Sequence, residues 1–402
     1  MAVKERKLAY ESLVKIMIEG KYSNLVLRFN RENTPFVTQL VYGTLRNYRL
    51  LRYSWSQKVS RQPAGKLAVL LDMAAYELLM MDSPDYAVID EAVDIAHDFG
   101  KSQAGFVNGV LRKLSPEDLK TADPAIRTSH PDWLWALWKA HYGEEVGMRI
   151  MEADLDEPKV GLRINRKLMN AEQLSRMKGF TPATVAGAFY YDGNILETEV
   201  YRRNQVIIQS ESSQEVVRAM DIQPGMRVLD LCAAPGSKSL QIAEQLNGKG
   251  EVVANELYES RTQLIRENAI RYGYENIRTI SADGREIAMR LEPGSFDAVL
   301  LDAPCSGLGT LKHKPEIKIR ITPEDLDDII ALQKELLDEA ALMVRKGGEL
   351  MYSTCTLNRK ENDRQVESFL KDHPDFRLKL NKTVYPFDYQ SDGFFYGLMV
   401  RE

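Results

Sequence analysis

MRVLDLCAAPGSKSLQIAEQL, residues 226–246, reads as one strand, one turn and one helix. RVLDLCA is a short apolar run that closes on small residues, and KSLQIAEQL carries its apolar residues at helical spacing. The alternation continues. GEVVANE (250–256) is a strand and RTQLIRENAIRYG (261–273) a helix. IRTISAD (277–283) and FDAVLLDAP (296–304) are strands; EDLDDIIALQKELLDEAALMV (324–344) contains the next helix, and GELMYSTC (348–355) the next strand. Short apolar strands alternating with helices predict an α/β domain with a doubly wound parallel sheet over 204–402.

Working back from there, the pattern changes. Residues 158–200 are mixed: KVGLRIN reads as a strand, NAEQLSRMKGF as a helix, AFYYDG and NILETEV as strands. DWLWALWKAHYG (132–143) is helical. A Pro-bearing stretch at 123–131 marks a boundary. Before it, four helices are expected. Ala9, Leu13, Ile16 and Met17 share one face and Gly20 stops it; Leu67 to Met81 repeat the spacing, Ile89 to Gly100 form a third helix, and GFVNGVLRKL lies in a fourth. The chain therefore divides into an all-helical domain (1–126), a small α/β module (127–203) and the doubly wound domain (204–402).

Composition narrows the class. The 402 residues are 44% hydrophobic and 28% charged, as in ordinary soluble proteins. No apolar run approaches the roughly 18 residues of a membrane span, and the start is charged, without a signal-peptide core. A cytoplasmic monomer is expected. Three scattered cysteines argue against a disulfide framework, and the five histidines form no ligand cluster, so no metal is expected. The net charge of −5 conceals thirteen Lys/Arg against four Glu in residues 1–66. A basic segment on an acidic chain suggests a nucleic-acid partner.

In an open parallel sheet, ligands bind at the carboxyl ends of the strands. Asp230, Glu256, Asp283 and Asp302 fall there in order. The turn CAAPGSKS has one glycine, and its proline offers no N–H, so it makes a poor pyrophosphate cradle. S-adenosyl-L-methionine suits the acids better: it has no phosphate, its sulfonium is positive, and its ribose seeks acceptors. The candidate contacts are Cys232, Ala233, Ala234, Pro235, Gly236, Ser237, Lys238, Glu256, Asp283 and Asp302. Lys238 is ambiguous between cofactor carboxylate, RNA phosphate and solvent.

Cys305 and Cys355 end apolar strands fifty residues apart, placed for covalent chemistry. A thiolate added to carbon-6 of a cytosine makes carbon-5 nucleophilic toward a methyl group. Asp302 is placed to meet the base's N3 and N4 edge. His313, Lys312, Lys314 and Lys318 are candidates to activate a thiol or bind phosphate.

These motifs carry a resemblance. VLDLCAAPGSKS, LLDAPCSGLGTLKHKPEIK, YSTCTLNRKENDRQV and IIQSESSQ resemble those of the RNA cytosine-5 methyltransferases of the Sun/Fmu (RsmB) and NOP2 group. LDMAAYELLMMDSPDYAVIDEAVDIA with FVNGVLRKL resembles the NusB-type RNA-binding domain of its bacterial branch, and DGFFYGLMVRE at the end is also similar. The resemblance implies a Rossmann-like class I methyltransferase domain, with Cys355 as nucleophile, Cys305 assisting product release, and small-subunit ribosomal RNA as substrate. Transfer RNA is the alternative substrate; a non-catalytic RNA-binding assembly or antitermination factor is the alternative class. GSKS replaces the family's usual GGKT, Glu256 its Asp, and KHKPEIK its RRHPDIKW.

Overall fold

The structure is a computed structural model that describes residues 2–28 and 32–402. Contacts divide the chain into two compact units. One comprises Met1–Asp156 with Leu311–Ile321, the other Glu157–Thr310 with Thr322–Glu402.

The first unit is helical. Ala2–Met17, Gly65–Met80, Asp85–Ala96 and Lys101–Leu111 are the four helices that periodicity predicts. The longest, Pro35–Ser56, is not among those predicted. Its start signals are nevertheless conventional: Thr34 accepts from the Val37 amide, and Pro35 follows at the first helical position. Leu13, Ile16, Leu40, Leu45, Leu51, Trp55, Leu70 and Leu71 fill the core between these helices.

Several of the basic residues in this unit are structural. Arg6 is buried and donates to both oxygens of Glu77, at 2.8 and 2.6 Å, and to Glu91 at 2.7 Å. Arg52 and the Trp55 indole N–H both meet the buried Asp72. Leu311–Ile321 completes the unit: Glu316 accepts from the Ser23 amide and hydroxyl, and the buried Lys318 donates to the Arg46 carbonyl at 2.7 Å. Burial holds Lys318 down to a pKa of about 7. Lys318 is thus committed to a backbone carbonyl, and Lys312 is also buried.

The second unit contains two sheets. β1 (Val160–Ile164), β2 (Phe180–Pro182), β3 (Ala188–Tyr191) and β4 (Val206–Ile208) form a four-stranded antiparallel sheet in the order β2-β3-β1-β4. The segment NILETEV, expected as a strand, is instead two short helical turns, Ile195–Glu197 and Glu199–Arg202. The reason is capping. Asn194 accepts from the Leu196 amide and Thr198 from the Tyr201 amide, so local side-chain acceptors outcompete a ladder.

The larger sheet takes β5 (Arg227–Asp230), β6 (Glu251–Glu256), β7 (Ile277–Ser281), β8 (Phe296–Asp302), β9 (Val344–Thr354), β10 (Phe376–Val384) and β11 (Phe394–Arg401). The order is β10-β11-β9-β8-β5-β6-β7. β9 through β7 are parallel; β11 and β10 add an antiparallel pair. The strands predicted from 227 to 354 therefore fall where expected, in a doubly wound sheet. β5 has β6 on one side and β8 on the other, so the winding direction reverses at β5. That reversal opens a crevice at the carboxyl ends of β5, β6 and β8. Among the described residues no helix is long and apolar enough to cross a membrane.

Candidate active site

Asp230, Glu256 and Asp302 are the last residues of β5, β6 and β8, and Asp283 lies two residues past β7. The strands are apolar inside and terminate together at one edge. Each acid therefore emerges at the point where the chain turns away from the sheet.

The turn after β5 is shaped by Gly236. Its φ is +101°, and a Cβ there would lie 3.2 Å from the Ile265 side chain. The Ala234–Pro235 peptide is cis. Gly236 leads into the helix Ser237–Gln245, whose Ser239 hydroxyl donates to Asp230 at 2.6 Å. The other Asp230 oxygen is buried without a partner. Burial, with the nearby charges of Asp302 and Glu256, pushes this carboxyl up to about 7.

The remaining acids are differently held. Asp302 accepts from Lys238 at 2.7 Å and from the Ser353 hydroxyl at 2.8 Å, one on each oxygen. Lys238 is buried, with its ammonium 5.1 Å from the centre of the Phe394 ring. Of the readings open for Lys238, solvation is the one this geometry removes. Glu256 is buried 3.3 Å from Arg261. Asp283 is held below the usual carboxylate range by Arg285, at 2.7 Å. Cys232 is half-buried in the same turn, and desolvation drives its thiol pKa upward.

This constellation fits a cationic, phosphate-free cofactor. An anionic pyrophosphate would meet several carboxylates and few open N–H groups. A sulfonium and ribose hydroxyls would complement them, and the unpartnered Asp230 oxygen is an acceptor in want of a donor or a cation. Gly236 lets the turn pack closely on Ile265, which any side chain there would crowd.

The two thiols meet. Cys305, three residues past β8, and Cys355, one past β9, lie with their sulfurs 3.3 Å apart. That is contact without a disulfide, which would need about 2.05 Å. The register of β8 on β9 brings this about: Asp302 pairs with Ser353, so short extensions of three and two residues deliver the thiols to one place. Hydrogen bonding to Cys355 and burial push the Cys305 thiol well above its ordinary range.

Reading the sequence passed over the groups that hold these loops. Glu361 is fully buried and accepts from the Ser306 amide and hydroxyl. Asn255 donates to the carbonyls of Leu231 and Ala282, tying the turn after β5 to the end of β7. The polar run RKEND after Cys355 was the available signal. It reads as a solvated helix start, because burial of polar residues beside a strand end depends on tertiary neighbours. Among the described residues no group of His, Cys, Asp and Glu is placed to hold a metal ion.

Comparison with known proteins places this arrangement. Residues 217–400 match the family described as 16S rRNA methyltransferase RsmB/F, and residues 3–116 match the NusB family. The protein named PH0851 has the same fold over 99% of both chains, with a TM-score of 0.81 and 22% identity. NSun6 from Pyrococcus horikoshii, solved with SFG, superposes with a TM-score of 0.62 at 18% identity, covering 67% of this chain and 98% of its own. The probable ribosomal RNA small subunit methyltransferase B of Bacillus subtilis is 38% identical over 94% of this chain and 90% of its own length. With that identity over 94% of its length, the chain belongs to the RsmB/F family of 16S rRNA methyltransferases.

Proposed function

We propose that this protein methylates carbon-5 of a cytosine in small-subunit ribosomal RNA, using S-adenosyl-L-methionine and a covalent bond from Cys355 to the base. The observation that best supports this is the pair of sulfurs 3.3 Å apart, beside the acids that end β5, β6 and β8. One thiol would suffice for simple attack; two in contact suit a reaction that must also release its adduct.

In this reading Cys355 forms a bond from sulfur to carbon-6 of the cytosine. The ring's electron pair then makes carbon-5 nucleophilic. The cofactor, when bound, supplies an electrophilic methyl group. Carbon-5 takes that methyl, leaving the donor sulfur as a neutral thioether, and then gives up its hydrogen as a proton to solvent water. The electron pair left behind restores the double bond, the carbon-6–sulfur bond breaks, and Cys355 departs as a thiolate. Cys305 assists this release. Its raised pKa keeps it protonated at rest, so it donates to Cys355 and favours negative charge there. Asp302, steadied by Lys238 and Ser353, is assigned to the N3 and N4 edge of the base, where adduct formation shifts charge. The turn 232–238, Glu256, Asp283 and Asp302 are assigned to the cofactor.

In this reading the helical unit holds RNA, the four-stranded sheet module extends that grip, and the doubly wound sheet performs the chemistry. The target base must be unstacked, at about a few kcal/mol, which favours a loop or bulge.

The test is to mix Cys355→Ala and Cys305→Ala variants with unmodified ribosomal RNA and labelled methyl donor, then map the product. Cys305→Ala should accumulate a covalent protein–RNA adduct, whereas Cys355→Ala should form neither adduct nor product. Methyl transfer that survives loss of Cys355 would sink the mechanism, and labelling of transfer RNA alone would move the substrate.

A further inference from the structure

The segment 358–363 follows the second thiol and has no place in the chemistry above, yet Asn358, Glu361 and Asn362 are fully buried. Glu361 lies at the centre. Its Oε2 accepts from the Ser306 amide at 2.9 Å and from Gln333 at 3.0 Å. Its Oε1 accepts from the Ser306 hydroxyl at 2.6 Å and from Asn358 at 3.0 Å. The Thr356 hydroxyl sits 2.7 Å from that of Ser306, between the two loops. Every one of these neighbours can donate, the acceptor-only pattern that a carboxylate satisfies.

Ser306 follows Cys305, and Thr356 follows Cys355. One buried side chain therefore reaches the residue after each thiol. Two further groups complete the bracket. Gln333, on the helix Pro323–Met343, donates to the Pro304 carbonyl at 2.9 Å as well as to Glu361, so it grips Cys305 from its other side. Asn362 accepts from Thr354 at 2.5 Å and donates to the Thr356 carbonyl at 2.9 Å, flanking Cys355. Gly309 closes the arrangement. Its amide donates to the Cys355 carbonyl at 3.0 Å, and a Cβ there would lie 2.2 Å from the Gly393 carbonyl.

From this geometry we infer that Glu361 is the positioning residue that joins the two thiol loops into one rigid unit and fixes the distance between the sulfurs. This rests on the reading of Cys355 as nucleophile and Cys305 as release group. Attack and release need the two thiols on one base in turn, so their separation must persist through the cycle. Strand register alone brings the loops near each other; a shared carboxylate makes their separation specific. The negative charge of Glu361 also helps hold the proton on Cys305, which keeps the roles of the thiols distinct.

The experiment uses full-length Glu361→Gln and Ser306→Ala proteins. An amide at 361 can face only some of the donors, and Ser306→Ala removes one donor while leaving the carboxylate in place. Three quantities are read: alkylation of each thiol by iodoacetamide across pH, resolved by peptide mass spectrometry; kcat and KM for methyl transfer; and cofactor affinity with melting temperature. In the wild type, alkylation of one thiol should block the other. In Glu361→Gln that mutual exclusion should weaken and the pH profile of Cys305 should move. Its kcat should fall by about a hundredfold, the scale of a misplacement near 1 Å, while cofactor affinity is retained. Ser306→Ala should move the same readouts less. Unchanged alkylation and kcat in Glu361→Gln would overturn the inference. Should that variant fail to fold, a silent Ser306→Ala would overturn it and an altered alkylation profile would support it. If the wild type makes no methylated cytosine, the functional reading fails while the alkylation data still decide whether Glu361 couples the thiols.

Discussion

In the helical unit, Glu77 is buried with both oxygens taken by Arg6, and Asp72 is held by Arg52 and Trp55. At the sheet edge, Asp230 is as deeply buried, yet it receives one hydroxyl and keeps an oxygen without a partner. The two regions spend the same residue type on different ends. A buried carboxylate closed by guanidinium locks helices together. A buried carboxylate left open raises the energy of the empty site and reserves an acceptor for what binds there. Burial raises the pKa of Asp72 as well as that of Asp230, which reaches about 7, so it is the unpartnered oxygen that marks the open kind.

The largest effect should come from opening a closed site. Arg6→Ala leaves Glu77 buried and Glu91 half-buried with neither paired to Arg6, which should destabilise the helical unit by about 3–5 kcal/mol. Urea unfolding followed by circular dichroism measures this. A loss below about 1 kcal/mol would place Arg6 with ordinary surface pairs and break the contrast.

The second effect comes from the open site, and its sign is set by pH. The folded-state pKa of Asp230 lies above its unfolded value, so between about 4 and 7 the native state holds a proton that the unfolded state has released. Its contribution is therefore greatest at acid pH and is lost as pH rises through about 7. The change should be roughly 2–4 kcal/mol across that window in the cofactor-free protein. Asp230→Asn, whose side-chain oxygen can still accept from Ser239, should remove that slope. A slope that persists in the variant assigns the titration to another group.

The contrast also explains what could be read from the sequence. Helices with a clean apolar stripe, such as Gly65–Met80, and strands of continuous apolar residues, such as Phe296–Asp302, were legible because burial alone dictates them. The acids were legible because they end those strands. Pro35–Ser56 was not predicted, since Asn47, Arg49 and Arg52 interrupt its apolar stripe and its partners are remote in sequence. NILETEV failed because caps at Asn194 and Thr198 overrode strand character. Glu361 and Gln333 were invisible for a related reason: both look like solvated helix residues until the Cys305 loop, tens of residues away, supplies their partners.

A smaller effect tests the turn that leads into the open site. Gly236→Ala places a side chain at φ +101° and 3.2 Å from Ile265. The backbone strain should lower stability by about 1–2 kcal/mol. If the turn also cradles the cofactor, affinity by calorimetry should fall further than stability does. Equal affinity in a destabilised variant would make this glycine a folding device and nothing more.

The smallest effect concerns Asp283, the acid of the series that is half closed. Arg285 donates to both its oxygens but is itself exposed, so the pair lies in solvent and is screened by salt. The contrast predicts that such a pair does little for the fold and competes weakly with a ligand. Arg285→Ala should leave the melting temperature nearly unchanged and tighten cofactor binding about two- to fivefold at low ionic strength, an effect that fades as salt is added. Asp283 should also titrate closer to the usual carboxylate range once the guanidinium is gone, so the acid limb of cofactor binding should move to higher pH. Weaker binding in the variant would mean that Arg285 orients Asp283 toward the ligand, and the acid would then belong with the closed sites, held in place by its arginine.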